Sequence, residues 1–375
     1  MAVRGSHGVV VLVKARSFSR RLAQSKKRAK GCYPGLVLLG IHDHGTPGLA
    51  AEVSRLVTAM GSLAEAQEAL ASPGKVLDVK TVRRVSRRLA QRARQAYEAG
   101  HWPVGETVAG RRVVLSVDGG RRRIRKNQRG RKTAKRRHRY TTAWREPTLM
   151  GIYVVDAEGR AERRECPWLE GTLRGPEALF AVIRYYLSRL EVGQADTLVV
   201  IADGARWIWR RVAELVAHFG LRAEQVYEVV DFYHVVEHLG TLAKARTDWT
   251  EAARQEWVKT QRRRLLKGHL DQVFDALAAV RQRRRRAVLQ REYRYFEHNR
   301  HRLNYATLKA NHLPIGSGAV ESAIRRVVNL RLKGAGMCWC EDTAQEMLMR
   351  RSYYKAGRWE MLKKLAFFPI LPPTA

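Results

Sequence analysis

Apolar residues recur at helical spacing between residues 78 and 97. Successive members lie three, three and four positions apart, so they line one face of a helix: Val79, Val82, Val85 and Leu89. Asp78 is placed to cap this helix, and arginines occupy its other face. A shorter helix from Ser62 to about Ala71 precedes it across a Ser-Pro-Gly turn. A short helix, a tight turn and a basic helix predict a helix-turn-helix, with an ordinary basic helical hairpin as the alternative.

From residue 111 onward, continuous apolar runs predict buried strands. RRVVLSVDGG (111–120) and TLVVIADGA (197–205) are such runs, and each carries an aspartate followed by a glycine at its end. Further strands are predicted at 139–146, 148–160 and 225–231, and helices at 176–192, 207–220 and 232–245. Three strands, a helix, a strand, a helix, a strand and a helix are the order of a ribonuclease H-like sheet. Residues 240–310 have a helical pattern rich in arginine, which predicts an all-α insertion.

The net charge narrows the class of partner. Lysine and arginine number 71 against 35 acidic residues, which gives a net charge of +36. A protein this basic attracts polyanions; nucleic acid is the abundant one, and an anionic membrane surface is the alternative. No apolar run approaches the roughly 18–20 residues of a membrane span, and the four cysteines form no zinc-ribbon pattern. We therefore expect a cytoplasmic, nucleoid-associated protein with no membrane partner.

Two of the predicted strands end in an acid at one edge of the sheet. Asp118 and Asp203 follow VVLSV and VVIA, and open sheets of this kind bind ligands at the carboxyl ends of their strands. Carboxylate oxygens suit a divalent cation, and two such ions activate a water or a 3′-hydroxyl in phosphoryl transfer. Two aspartates hold two ions poorly, so a third carboxylate is expected. Glu321 is the candidate, and it lies in the helix predicted after PIGSG. The apolar residues of this helix are expected to face the core: Val320, Ile324 and Val327.

Each of these residues has a simpler explanation when it is taken alone. Asp-Gly is a common turn signal, and Glu321 is favoured in a first helical turn by the helix dipole or as a partner of Arg325. Asp231, at the end of VYEVVD, competes with Asp203 as the second acid. A single helical histidine such as His234 is more often a packing residue. The combination of these residues indicates metal-dependent phosphoryl transfer more specifically than any one of them does alone.

An ordered series of motifs runs through the chain: VDG at 117–119, ADGA at 202–205, DFYH at 231–234, GSGAVESA at 316–323 and RLKGAGMCW at 331–339. In this order they resemble the DDE-type transposases of bacterial insertion sequences, close to the IS-Kra and Mutator-like groups, over residues 32 to 365. The resemblance implies that Asp118, Asp203 and Glu321 form the catalytic triad and bind the metal.

The same resemblance implies a role for a second pair of residues. Asp231 and His234 match the Cys/Asp-x-x-His signature that follows the second acid in Mutator-like enzymes. The match implies that this pair supports the active site or contacts DNA near the cut.

The resemblance also implies an activity with its requirements. It implies a DNA transposase that cleaves a strand to free a 3′-hydroxyl, which then attacks target DNA, with two Mg²⁺ (or Mn²⁺) ions and no covalent protein intermediate. The implied partner is double-stranded DNA, both element ends and target, and the pairing of two ends implies a homodimer. The alternatives are a ribonuclease H-like nuclease without strand transfer and a non-catalytic DNA-binding protein derived from a transposase.

Basic residues beside these motifs are the expected DNA contacts. The helix-turn-helix presents five of them for recognition of element ends: Lys80, Arg83, Arg84, Arg87 and Arg88. The run 121–139 has 12 Lys or Arg in 19 residues and no core periodicity, so we expect phosphate contacts or a flexible basic loop from Arg121, Arg122, Arg123, Arg125 and Lys126. A third group is expected around the scissile phosphate: Arg325, Arg326, Arg331, Lys333 and Trp339.

Aromatic residues in the insertion admit two interpretations. The residues are Tyr293, Tyr295 and Phe296, and they follow a basic run that includes residues 283–286. Basic and aromatic residues together favour stacking on an unpaired base, whereas the spacing of the aromatic residues is equally typical of a helix core.

Together these segments predict an α/β protein with a ribonuclease H-like catalytic sheet and an all-α insertion, preceded by a helical, helix-turn-helix-type DNA-binding region. Five segments are expected: an irregular basic N-terminus (1–35), a helical DNA-binding region (36–110), the first part of the catalytic core (111–239), the all-α insertion (240–310), and the completion of the core with C-terminal helices (311–375). Related transposases begin with more ordered sequence, so the irregular start predicts a truncated copy with impaired end recognition.

Overall fold

The computed structural model describes residues 2–6, 8–16, 33–71, 75–103, 105–134, 138–162, 165–282, 287–334 and 337–368, apart from the side chains of residues 281 and 282. Helices and strands are mixed along these residues, so the protein is of the α/β class. Its strands are β1 (Ala2–Arg4), β2 (Val10–Leu12), β3 (Arg112–Gly119), β4 (Arg122–Asn127), β5 (Tyr140–Arg145), β6 (Thr148–Val155), β7 (Trp168–Thr172), β8 (Thr197–Ala202), β9 (Val226–Val230) and β10 (Trp339–Cys340).

The α-helices follow the same order. They are α1 (Pro34–Leu38), α2 (Pro47–Ala59), α3 (Leu63–Ala71), α4 (Val79–Glu98), α5 (Pro176–Arg189), α6 (Arg206–His218), α7 (Phe232–Ala245), α8 (Glu251–Leu266), α9 (Leu270–Gln282), α10 (Ala287–Asn299), α11 (Tyr305–Ala310), α12 (Gly318–Ile324), α13 (Leu330–Leu332), α14 (Glu341–Lys355) and α15 (Trp359–Phe367). A π-helical turn, Arg325–Asn329, joins α12 to α13.

The chain divides into two compact units. One, here called the sheet unit, comprises Glu106–Arg121 and Glu146–Arg325. The other, here called the helical unit, comprises Met1–Gly105, Arg122–Arg145 and Arg326–Ala375. These bounds differ from the five consecutive segments that the sequence predicts, because 122–145 and the C-terminal helices group with the N-terminal helices.

A five-stranded mixed sheet forms the centre of the sheet unit. Its strand order is β7-β6-β3-β8-β9; β6 is antiparallel to both β7 and β3, whereas β3, β8 and β9 run parallel to one another. Every residue of β3 from Val113 to Val117 is buried, which is typical of a strand covered on both faces. In the described part of 240–310 the chain is helical and contains no strand, as the sequence predicts.

The helical unit has its core around α4. Leu89, Ala93 and Ala96 of α4 pack with Tyr353 of α14 and Leu362 of α15 in one buried cluster. The periodicity prediction for α4 is confirmed, since Val82, Val85 and Leu89 are buried. Its start is confirmed too, because the Asp78 side chain accepts a hydrogen bond from the Thr81 N–H at 3.0 Å. A small sheet of order β10-β4-β5 belongs to the same unit.

Two segments that the sequence predicts to be irregular contain strands. Residues 122–127 form β4, and alternation along it places Arg122 and Ile124 on the buried face, 8% and 3% exposed. The expectation of a basic stretch without core residues is therefore wrong for this part of 121–139. In 1–35, β1 and β2 pair antiparallel, while residues 17–32 lie outside the described residues. None of the helices in the described ranges has the length and apolar character of a membrane span.

Candidate metal centre

Three aspartates lie level with one another at the carboxyl ends of three parallel strands. Val117 of β3 is in register with Ala202 of β8, and Ala202 is in register with Val230 of β9. The next residues along each strand are Asp118, Asp203 and Asp231. A buried parallel sheet thus brings together acids that are 85 and 28 positions apart in sequence. The edge that they occupy is the ligand-binding edge of open α/β sheets.

A helix that follows the sheet in sequence carries the fourth acid. α12 packs against β3 and β6, with Val320 and Ile324 buried, as the sequence predicts. Glu321 lies one position beyond Val320, and its side chain is exposed. The packing of the apolar residues therefore fixes the direction in which the Glu321 carboxylate points.

Asp231 links the end of β9 to the start of α12. Its Oδ1 accepts the backbone N–H of Tyr233 at 2.6 Å, so Asp231 caps α7. Its Oδ2 accepts the N–H of Ser317 at 2.7 Å and also the Ser317 hydroxyl. The backbone reinforces this link, since the Phe232 N–H donates to the Ile315 carbonyl at 3.0 Å. Asp231 is fully buried, so its carboxylate is satisfied by these donors instead of by water.

Asp231, His234 and Glu321 form a compact group, and among the described residues neither Asp118 nor Asp203 belongs to it. Asp231, His234 and Glu321 each offer a ligand atom, and these atoms all lie within 4.8 Å of one another; this group is able to hold a metal ion. Asp118 lies within electrostatic range of the group. Burial raises the pKa of Asp118. The hydrogen bond from the Gly119 N–H lowers this pKa, and so does His234, whereas the carboxylates of Asp203 and Glu321 raise it.

The carboxylates differ in whether they keep an oxygen that accepts no hydrogen bond and is therefore available to a cation. Within the described residues, Asp118 and Asp203 each use one carboxylate oxygen to accept a nearby backbone N–H, and the other oxygen accepts no hydrogen bond. Glu321 Oε1 lies 3.1 Å from a serine hydroxyl, and its other oxygen is likewise without a hydrogen bond from this part of the chain. Asp231 uses both oxygens. Asp118, Asp203 and Glu321 therefore each keep an oxygen of the kind that Mg²⁺ or Mn²⁺ binds. The ligand atoms that lie within 4.8 Å of one another belong instead to Asp231, His234 and Glu321.

The all-α insertion supports the loop that carries Asp203. Tyr295 of α10 lies against Gly204 so closely that a methyl group there would overlap its ring. The Asn299 amide donates to the Gly204 carbonyl at 3.3 Å. Glycine is required at this position because the helix and the loop approach each other closely. The sequence signal was the Asp-Gly pair itself, but it did not indicate which residues lie opposite.

Packing accounts for most of the aromatic residues of α10. Phe296 is fully buried, and Tyr295 stacks on His238 with ring centroids 3.6 Å apart. The His238 ring also contacts the buried Glu292. These contacts agree with the helix-core interpretation, and residues 283–286 lie outside the described residues.

The basic face of α4 is partly neutralised. Arg87 pairs with Glu346 at 3.0 Å, and both Arg84 and Arg88 pair with Asp43. Lys80 and Arg83 are exposed, and in the described chain neither has an ion-pair partner. Of the five residues predicted to recognise DNA on this helix, two therefore retain an uncompensated charge.

The remaining basic residues divide between the surface and the interior. Most are exposed: Arg121, Arg123, Lys126, Arg325, Arg326 and Lys333. Arg125 is half-buried and donates to Cys340 Sγ at 3.1 Å. Arg122 and Arg331 are buried, and Arg331 lies over the Trp339 ring at 5.1 Å. These two buried positions differ from the surface positions that the sequence predicts, because each side chain belongs to an element with an apolar, inward face.

Comparison with protein-family models and with curated proteins finds no match to this chain. The geometry of the site therefore provides the evidence about function.

Proposed function

We propose that the protein is a DNA transposase of the DDE type, which cleaves DNA strands and joins the freed ends to target DNA by metal-dependent phosphoryl transfer. One observation carries the proposal: Asp118 and Asp203 lie level at the ends of adjacent parallel strands, and each keeps a free carboxylate oxygen. Glu321, on α12, is the proposed third carboxylate, since its charge, like that of Asp203, acts on Asp118.

The chain's own residues have distinct roles in this proposal. Asp118, Asp203 and Glu321 hold two divalent cations, Mg²⁺ or Mn²⁺. Bound there, the ions supply activation of a water or 3′-hydroxyl and stabilisation of the leaving oxygen. Asp231 orients the start of α12 through Ser317 and thereby aims Glu321. His234 lies beside Glu321 and Asp231, where its ring contacts either the scissile strand or the carboxylates.

The sheet supports a ribonuclease H-like fold for the catalytic core. β3, β6 and β7 are neighbours in an antiparallel arrangement, and two parallel strands, β8 and β9, extend the sheet on the other side of β3; β4 and β5, which lie between β3 and β6 in sequence, belong to the small sheet. A helix precedes each of the parallel strands, and helical residues 240–310 are inserted before the helix that carries Glu321. The predicted order differs from this one in one strand: the predicted strand at 139–146 is β5 of the small sheet, and β7, which was not predicted, takes its place in the five-stranded sheet.

Double-stranded DNA is the proposed partner. The net charge of +36 favours a polyanion, and Lys80 and Arg83 present uncompensated charge on one helix. Because transposition joins two element ends, we propose that two copies of the chain act together as a homodimer.

A strand-transfer assay tests the proposal. The protein is mixed with labelled duplexes taken from the DNA on either side of its coding sequence, with supercoiled target and with Mg²⁺. We expect cleaved and joined products that EDTA abolishes. Asp118→Asn, Asp203→Asn and Glu321→Gln should each lower the rate at least about 10³-fold while duplex binding is retained.

Asp275→Asn is the matched control, because Asp275 is an exposed acid on α9 of the same unit. This variant should act like the natural protein. Cleavage without joining would replace the transposase by a nuclease, and DNA binding without any metal-dependent cleavage would identify a non-catalytic binding protein. Full activity in Asp118→Asn would overturn the site itself.

A further inference from the structure

The helical unit contains a cavity of about 730 Å³ that the proposed strand chemistry does not use. It lies between α4, β4, β10 and α14. Five arginines and two acids line it: Arg83, Arg87, Arg125, Arg331, Arg350, Asp342 and Glu346. The volume is within the range of small-ligand sites, roughly 300–1,000 Å³.

Charge in this cavity is poorly balanced. Glu346 is already engaged, since it pairs with Arg87 at 3.0 Å and accepts from Gln91 at 2.9 Å. Asp342 is exposed at the rim. The arginines therefore outnumber the acids, and the surplus charge is positive.

Two of the arginines are buried with unsatisfied groups. Arg331 and Arg350 are 5% and 3% exposed, and within the described chain Arg331 Nε and Arg350 Nη1 have no hydrogen-bond partner. Burial lowers the pKa of Arg350 to about 10; Glu346 raises it, and Arg331 and Arg87 lower it further. Buried, mutually repelling cations are costly unless an anion compensates them, and arginine favours phosphate.

The other walls are apolar and aromatic. Trp339 lines the cavity with Met337, Met347 and Val57. The Arg331 guanidinium lies 5.1 Å from the centroid of the Trp339 ring, which forms a flat, cationic and aromatic surface. A ligand that combines a phosphate with a planar ring matches both kinds of wall, whereas a bare anion matches only the arginines.

We propose that this cavity binds one unpaired nucleotide, with its phosphate among the arginines and its base against Trp339. A free mononucleotide and a nucleotide within a single strand share this chemistry. The inference does not require the chain to be a transposase, because it depends only on the lining of the helical unit.

Alkylation of Cys338 provides a direct test. Cys338 is an exposed thiol that lines the cavity, so a bound ligand should shield it. The full chain is treated with a maleimide, and modification at Cys338 is followed by peptide mass spectrometry with increasing dAMP, deoxyadenosine, inorganic phosphate, a short single-stranded oligonucleotide or a blunt duplex. We expect dAMP to protect at concentrations at least about tenfold lower than deoxyadenosine or phosphate, since each of these lacks one recognition element.

Two variants of α4 separate the cavity from the general charge of the protein. Arg83 lines the cavity and Arg84 does not, yet both are exposed on the same helix, so each variant is expected to fold and each removes one charge. Arg83→Gln should raise the half-protecting dAMP concentration by about five- to tenfold, and Arg84→Gln should leave it unchanged.

Each outcome of these experiments either supports or overturns the proposed nucleotide site. Protection by phosphate equal to that by dAMP would overturn the nucleotide assignment in favour of a simple anion site. Equal effects of Arg83→Gln and Arg84→Gln would overturn the cavity. Protection by the single strand but not by dAMP or the duplex supports the proposal with a strand as the source, and protection by the duplex alone overturns it. None of these readouts depends on strand transfer, so they fail or succeed separately from the proposed activity.

Discussion

The two units concentrate opposite charges by different structural means. In the sheet unit, short carboxylates at strand ends are held by backbone N–H groups, as Asp231 is by Tyr233 and Ser317. In the helical unit, long guanidinium groups project from helices and a strand, and several of their nitrogens lack partners among the described residues. The first arrangement fixes each charge to the backbone, whereas the second leaves charge for another molecule to compensate.

Asp231→Asn is the most severe test of the backbone-held acids. The amide would point an N–H₂ group at donors that now bind a carboxylate, so we expect a loss of about 3 kcal/mol in the free energy of unfolding. Urea denaturation measures it. Ser317→Ala, which removes the hydroxyl and keeps the N–H, should cost less. If Asp231→Asn were as stable as the natural protein, the buried carboxylate would not be the link between β9 and α12.

Gly204→Ala tests how tightly the insertion supports Asp203. The added methyl would overlap the Tyr295 ring, and overpacking of this kind costs about 1–3 kcal/mol. The metal-dependent cleavage that we propose should fall with it, because the loop carrying Asp203 must move. Gly240→Ala is the control, since nothing lies within 4 Å of that position on α7. Replacement of Tyr295 by alanine in the same chain should relieve part of the strain of Gly204→Ala, because Asn299 Nδ2 would still lie 2.6 Å from the added methyl; no relief at all would contradict the Tyr295 contact.

Arg122→Met tests the buried arginines of the helical unit. Arg122 is buried on β4, burial lowers its pKa, and in the described structure its Nε and Nη2 have no partner. Removal of an unpaired buried charge by a side chain of similar length should stabilise the protein by about 1–2 kcal/mol in urea denaturation. Arg123→Met, at an exposed neighbouring position, should change stability little. A destabilised Arg122→Met variant would mean that the guanidinium is compensated after all.

The smallest effect concerns pH. Burial lowers the pKa of His42 to about 4, Arg92 and Arg88 lower it as well, and Asp43 raises it. The unfolded chain therefore binds this proton more readily than the folded chain, so stability is present above the ordinary pKa of 6.5 and falls as the pH drops towards 4. His42→Gln should reduce the dependence of the urea midpoint on pH over this range, whereas His44→Gln, at an exposed position, should not. An unchanged slope in His42→Gln would contradict the cationic environment of this turn.

Periodicity and strand ends explain what the sequence could predict. The helix from Asp78, the strands before Asp118 and Asp203, and the inward face of α12 each follow from local patterns that the structure retains. Glu321 was predicted as a ligand because two strand-end aspartates hold two ions poorly and call for a third carboxylate. These are features in which local preference and tertiary packing agree.

Residues that depend on distant partners were not predictable. Arg122 belongs to a basic run, and only its pairing in a sheet with β5 and β10 shows that it is buried. The role of Asp231 was open because its hydrogen bonds reach Ser317, 86 positions away. Tyr295 carried no sign that it lies against Gly204. Such contacts depend on the fold and leave no local pattern.

The Asp231–Ser317 hydrogen bonds join two residues that leave the ribosome at different times. Because Ser317 and Glu321 follow Asp231 by the whole all-α insertion, a nascent chain can complete its strands before either of them has left the ribosome. The acids of the three strands are then present without the fourth. A prematurely terminated chain that ends within the insertion would therefore be able to form the five-stranded sheet but would lack the Glu321 carboxylate.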